Sequence, residues 1–145
     1  MTPVYLVGVD GSDFSDRAIT YASERARASG GRVLVAHVIE WSPYTFSTPQ
    51  ENEERHKRRE EELGRAHAEI VDPIVTRLRE QGLEAEGLIR HGHVADTLLQ
   101  LAQEHAATCI IVGRSGGSSP LRAKIFGSVA SNLVQASDRP VSVVP

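Results

Sequence analysis

The amino-acid sequence predicts an α/β protein with an open, five-stranded parallel sheet and helices on both faces. First, five short apolar segments alternate with helical patterns, which is the arrangement of βαβ units with right-handed crossovers. Second, four of the five segments are nearly continuous in apolar character, as in strands that are covered on both faces. The predicted strands span residues 4–10, 32–39, 84–90, 108–113 and 140–144.

The first two helical patterns are long. The first follows Ser12 or Asp13, either of which can cap a helix, and it stops at Gly30. The second is rich in charged residues and runs over about residues 51–81. Pro73 lies inside it, and because proline has no backbone N–H we expect a kink or a division there.

The last two helical patterns belong to the second half of the chain. One covers about residues 94–105, and the other starts near residue 127. Two connections, residues 40–50 and 114–126, are longer than the usual ~2–6 residues of α/β loops. Long loops in a compact fold tend to be functional or mobile, so both are candidates for ligand contact.

Composition narrows the class of protein. The 145 residues predict a single domain, residues 1–145, and 40% apolar with 24% charged residues is typical of soluble proteins. A net charge of −3 offers no field that would recruit nucleic acid or an anionic membrane. Cys109 is the single cysteine, which excludes an internal disulfide. No signal peptide and no apolar run of ~20 residues is found, so we expect a cytoplasmic protein without membrane insertion.

The stretch CIIVGRSGG, residues 109–117, fits the G-x-S-x-G turn of serine hydrolases, with Ser115 as the nucleophile. In that class the catalytic histidine follows the serine in the chain. All six histidines precede Ser115, so we predict no catalytic residue in this turn.

The same stretch also suits the binding of phosphate. Glycines at 113, 116 and 117 follow the fourth strand, and Gly127-Ser128 opens a helix, whose first amides and dipole attract anions. The Ser128 hydroxyl either adds a donor or caps the helix. No acidic residue lies between His105 and Ser137, whereas three basic residues do, and this favours a polyphosphate. The sequence contains neither the P-loop motif nor the dinucleotide fingerprint.

Three segments resemble the universal stress protein family: VGVDGSDFSDRA, VAHVIE and IIVGRSGG…FGSVASNLVQASDRPVSVV. The resemblance covers essentially the whole chain. ATP-binding members carry G-x2-G-x9-G-[ST], which Gly113, Gly116 and Gly127-Ser128 match except that ten residues follow Gly116. This leaves open whether Gly116 or Gly117 faces the phosphates.

The resemblance implies ATP as the cofactor, with or without Mg²⁺. His91 and His93 could form half of a metal site, but the sequence places no third ligand, so we predict a turn beside the nucleotide pocket and no metal ligands of the protein's own. Asp10 resembles the acid that contacts the ribose, and a cap of the turn into the first helix is the less favoured alternative. Val38 resembles the position whose backbone contacts the adenine edge. The implied phosphate and ribose contacts are Val112, Gly113, Gly116, Gly117, Gly127, Ser128 and Val129, with Arg114 as a further phosphate contact.

The resemblance also implies a Rossmann-like sheet of order 3-2-1-4-5, whereas the residues alone also allow order 2-1-3-4-5. It implies homodimers through the last strand, residues 140–144, with higher assemblies and a protein partner left open. The expected function is regulation, in which nucleotide occupancy alters assembly or partner choice. A slow ATPase and a nucleotide-free interaction module are the alternatives.

Overall fold

A computed structural model describes residues 2–40, 49–115 and 127–145. The strands are β1 Val4–Gly8, β2 Arg32–Glu40, β3 Ala85–Gly92, β4 Cys109–Gly113 and β5 Val141–Val144. The helices are α1 Asp13–Ser29, α2 Pro49–Ala66, α3 Asp72–Glu80, α4 Val94–Glu104 and α5 Ser128–Ala136, with a π-helical turn His67–Val71 before α3.

The five strands form one parallel sheet in the order β3-β2-β1-β4-β5. This confirms the order implied by the family resemblance and excludes order 2-1-3-4-5. The chain winds outward from β1 through β2 to β3, then crosses to the other side of β1 for β4 and β5. The reversal places a switch point at the carboxyl ends of β1 and β4, where ligands of such sheets bind.

Both faces of the sheet are covered, which explains why the strands are almost continuously apolar. Alternate residues of β1 enter two separate core clusters, Val7 with α1 and α3, and Leu6 with α4 and α5. Both side chains are fully buried, as are Leu34 and Val35 of β2. A one-residue shift of any central strand would exchange the two clusters.

The ends of α1 confirm the sequence prediction. Ser12 is the N-cap, and its side chain accepts a hydrogen bond from the Ser15 N–H at 3.4 Å. At the other end Gly30 adopts a left-handed conformation with a φ of 73°, which favours glycine.

The charged helical pattern is divided at Pro73, as expected. Asp72 donates its N–H to the carbonyl of His67, five residues earlier, and Pro73 enters the first turn of α3, where a missing N–H costs little. The side chains of α2 are largely exposed, and Ala66 alone among them is buried.

One detail differs from the sequence prediction. β1 ends at Gly8, so Asp10 lies in the following turn instead of closing the strand. In α5, Leu133 is fully buried and its neighbour Val134 is 49% exposed. Within the described ranges, no helix combines the length and apolar character needed to cross a membrane.

Candidate functional site

A cleft of about 500 Å³ opens at the carboxyl ends of β1, β2 and β4. The strand ends form one wall, and α4 and the first turn of α5 form the other. Its volume is in the range of sites for small molecules and cofactors. The cleft therefore lies at the switch point of the sheet and is large enough for a nucleotide.

The structure brings most of the predicted site residues together around this cleft. Eight of the ten line it, namely Asp10, Val38, Val112, Gly113, Arg114, Gly127, Ser128 and Val129. The other two, Gly116 and Gly117, lie outside the described residues. That one of these two glycines faces the phosphates therefore stays a prediction.

The first turn of α5 presents backbone donors to the cleft. Gly127 is the N-cap, in the extended region with a φ of −67° and a ψ of 155°, and it has no side-chain capping hydrogen bond. The alternative in which Ser128 caps the helix is wrong, because Ser128 is already its first residue. The leading N–H groups of a helix have no partner within the helix, so in this turn they can bind an anion.

Arg114 joins this turn to the sheet. Its carbonyl accepts the N–H of Gly127 at 2.8 Å, and its own N–H donates to the carbonyl of Val144 at 2.7 Å. Its guanidinium carbon lies 5.8 Å from the centroid of the Phe14 ring. A positive charge therefore lines the same cleft as the amino end of α5.

Asp10 organises the turn between β1 and α1. Its Oδ1 accepts a hydrogen bond from the Ser12 N–H at 2.9 Å and another from the Ser15 hydroxyl at 2.6 Å. The capping role is thus present in the structure, and Asp10 also lines the cleft. Partial burial raises the pKa of Asp10, but the hydrogen bonds from Ser12, Ser15 and the backbone outweigh it and hold that pKa below its usual value.

We expect Asp10→Ala to lower the free energy of unfolding by about 1 kcal/mol at pH 7, because it removes this capping interaction. Since the native pKa of Asp10 is lowered, its contribution is present above the unfolded-state pKa and is lost as the pH falls through the native one. The difference between wild type and variant should therefore shrink below about pH 4 in urea titrations at several pH values. An equal difference at pH 2.5 and pH 7 would contradict this role.

The ladder of backbone hydrogen bonds between β1 and β2 ends at the cleft, after the bond that Val9 donates to Ala36. Val9 donates its N–H to the carbonyl of Ala36 at 2.8 Å, so a continued parallel ladder would next join the Val38 N–H to the Val9 carbonyl. That bond is absent from the described part of the chain, and the Val9 carbonyl is bonded instead to Nδ1 of His37 at 2.8 Å. The Val38 N–H and C=O thus lie beyond the end of β1, at the cleft.

Several residues that line the cleft were not predicted from the sequence. Ala36 and Glu40 also line the cleft, and their spacing of two from Val38 on one strand could have identified them. Ser15 was missed because its contact with Asp10 depends on the turn geometry. The hydrogen bond of His37 to Val9 had no signal in the sequence.

Two other kinds of site, a serine nucleophile with its histidine and a metal centre, can be compared with the described residues. Ser115 lines the cleft and is 9% exposed, but no histidine is among the described lining residues. His91 lies in β3, with its Nε2 3.9 Å from a carboxylate oxygen of Glu62, and His93 precedes α4. Where the chain is described, no three His, Cys, Asp or Glu side chains are grouped as metal ligands.

Comparison with known proteins agrees with this cleft and fold. The model of the universal stress protein family matches residues 1–145. The chain belongs to the universal stress protein family. It is 31% identical to a universal stress protein of Thermus aquaticus, with 99% of each chain covered. It is 30% identical to universal stress protein YxiE of Bacillus subtilis, with 96% of each covered.

Solved structures of universal stress proteins include complexes with nucleotides. One from Archaeoglobus fulgidus, in complex with dAMP, is 26% identical with a TM-score of 0.65, over 100% of this chain and 98% of that one. Another, in complex with cAMP, is also 26% identical with a TM-score of 0.65, over 99% of this chain and 96% of that one. Nucleotide binding therefore occurs in relatives that share this fold.

Proposed function

We propose that this universal stress protein binds ATP in the cleft and acts as a regulatory protein in the cytoplasm. Nucleotide occupancy then alters its assembly or its choice of protein partner. The observation that carries the proposal is the convergence of Asp10, the open backbone edge of Val38 and the uncapped first turn of α5 on one cleft. The relatives that bind dAMP and cAMP support it.

The order of the strands orients the nucleotide in this proposal. The triphosphate lies at the start of α5, where Arg114 and the first backbone amides supply positive potential. The base lies at Val38 on β2, and Asp10 contacts the ribose between them. Because β1 lies between β2 and β4, the carboxyl ends of β2 and β4 are about 10 Å apart. This separation suits the distance from the base of a nucleotide to its phosphates.

We further propose that two copies pair through residues 140–144. β5 is the outermost strand on its side of the sheet, and all four of its residues are only partly buried. An apolar edge strand of this kind offers unpaired backbone groups to a second strand. The Arg114 N–H, bonded to Val144, links this edge to the cleft.

Calorimetric titration of the protein with ATP and ADP, in the presence of Mg²⁺, tests the proposed function. We expect saturable binding of one ATP per chain, with little release of labelled phosphate over hours. Multiple turnovers in that time would favour the slow ATPase. A folded protein that takes up no nucleotide would favour an interaction module and would contradict the proposal.

A further inference from the structure

The hydrogen bond between His37 and Val9 is unusual in its position. His37 is the β2 residue that would pair with Val9 if the ladder continued beyond Gly8 and Ala36. Its ring nitrogen Nδ1 lies 2.8 Å from the Val9 carbonyl oxygen. A carbonyl can only accept, so Nδ1 carries the proton and the ring is held in one orientation.

The His37 side chain forms this bond from outside the cleft. Successive residues of a strand point to opposite faces, so His37 and its neighbour Val38 face opposite sides of the sheet. Val38 lines the cleft, and His37 is not among the lining residues of the described chain. The imidazole therefore occupies the Val9 carbonyl without taking space from a ligand.

The backbone groups of Val38 point towards β1. Along β2, the N–H of Arg32 bonds to Pro3 and the carbonyl of Ala36 bonds to Val9, both on the β1 side. Backbone groups two residues apart on a strand point the same way, so the N–H and C=O of Val38 point to that side too. The β1–β2 pairing ends at Gly8 and Ala36, so no strand of the described ranges pairs with these two groups.

We propose that His37 is a positioning residue that keeps the β1–β2 ladder open at Val38, so that the Val38 N–H and C=O remain free for the edge of a base. This inference rests on the proposed nucleotide binding and deepens it. A peptide edge with one donor and one acceptor complements adenine, which offers the acceptor N1 beside its 6-amino donor. The same peptide edge is mismatched with a 6-oxo base such as hypoxanthine, which has a donor at N1 and an acceptor at position 6. His37 thereby selects 6-aminopurine nucleotides.

Amide exchange in the nucleotide-free protein tests the open ladder directly. We expect the Val38 N–H to exchange much faster than that of Ala36, which lies within the ladder, and to be protected when ATP is added. In His37→Leu the Val9 carbonyl becomes available, and the Val38 N–H should then be protected without nucleotide. Equal protection of Val38 and Ala36 in the nucleotide-free wild type would overturn the inference.

Base selectivity gives the second test. We expect wild type to prefer ATP over ITP by about ten-fold or more. In ITP the N1–H donor would face the Val38 N–H, and the 6-oxo acceptor would face the Val38 C=O. His37→Leu should lose about ten-fold in ATP affinity and most of this preference. His37→Asn, whose amide can donate in place of Nδ1, should stay within about three-fold of wild type. His56→Leu, at an exposed position of α2, is the matched control.

The outcomes separate the two proposals. If wild type binds no nucleotide, the proposed function fails, and amide exchange at Val38 still decides whether His37 holds the ladder open. If ATP binds but His37→Leu keeps the wild-type preference for ATP over ITP, the inference is overturned while the proposed function stands.

Discussion

Gly127→Val is expected to weaken ATP binding by at least about 100-fold, the largest effect of any single substitution at the cleft. Gly127 lines the cleft directly before the first turn of α5. A valine side chain there would compete with the phosphates for the space beside the helix amides. A phosphate that is displaced by about 1 Å from hydrogen-bonding distance to those amides loses most of its hydrogen bonds.

The fold should tolerate this substitution. The φ of −67° at Gly127 is accessible to valine, and the hydrogen bond from Gly127 to Arg114 involves only backbone atoms. The loss of a favourable N-cap costs about 1 kcal/mol, which leaves the protein folded. Calorimetry with ATP and Mg²⁺ measures the affinity, and circular dichroism verifies folding.

A matched variant separates the local effect from a general one. Gly64→Val lies on α2, where no atom beyond the neighbouring residues and the helix's own backbone comes within 4 Å of an added Cβ, and we expect it to bind ATP as wild type does. Undiminished ATP binding by folded Gly127→Val would show that the phosphates do not occupy the start of α5.

Gly113→Ala is expected to lower the free energy of unfolding by about 3 kcal/mol, the largest effect on stability. A Cβ on Gly113 would lie 2.6 Å from Cβ of Phe14 and 3.0 Å from its carbonyl carbon and oxygen. These are atoms of the α1 backbone or next to it, so no side-chain rotation relieves the contact. The whole start of α1 has to move away from β4.

Urea denaturation measures the difference through the midpoint at an unchanged m-value. Gly64→Ala is the control, because its Cβ meets open space on a helix and should raise stability by up to about 1 kcal/mol. A midpoint for Gly113→Ala equal to that of wild type would mean that α1 is not seated on Gly113 as closely as the structure shows.

Local patterns in the sequence predicted the strands and several helix boundaries. The five apolar runs located every strand to within about two residues, because burial on both faces demands continuous apolar side chains. The caps at Ser12 and Gly30 and the division at Pro73 followed from the chemistry of single residues. Eight of the ten residues that the family resemblance implied for the site line one cleft.

Other features depended on contacts between distant parts of the chain. The residues alone allowed two strand orders, since a βαβ pattern specifies handedness but not which neighbour a strand will have. Gly113 is tightly packed only because α1, almost a hundred residues earlier in the chain, rests against it.

The sequence by itself determined which segments are strands and helices, and where glycines and a helix start could hold phosphate, because these properties are local. The tertiary structure decided how β1 ends. Only the placement of β1 beside β2 shows that the Val9 carbonyl bonds to the His37 ring and that the backbone of Val38 does not pair with β1. Hydrogen bonds between strands depend on register and on where each strand turns away, and no local pattern encodes either.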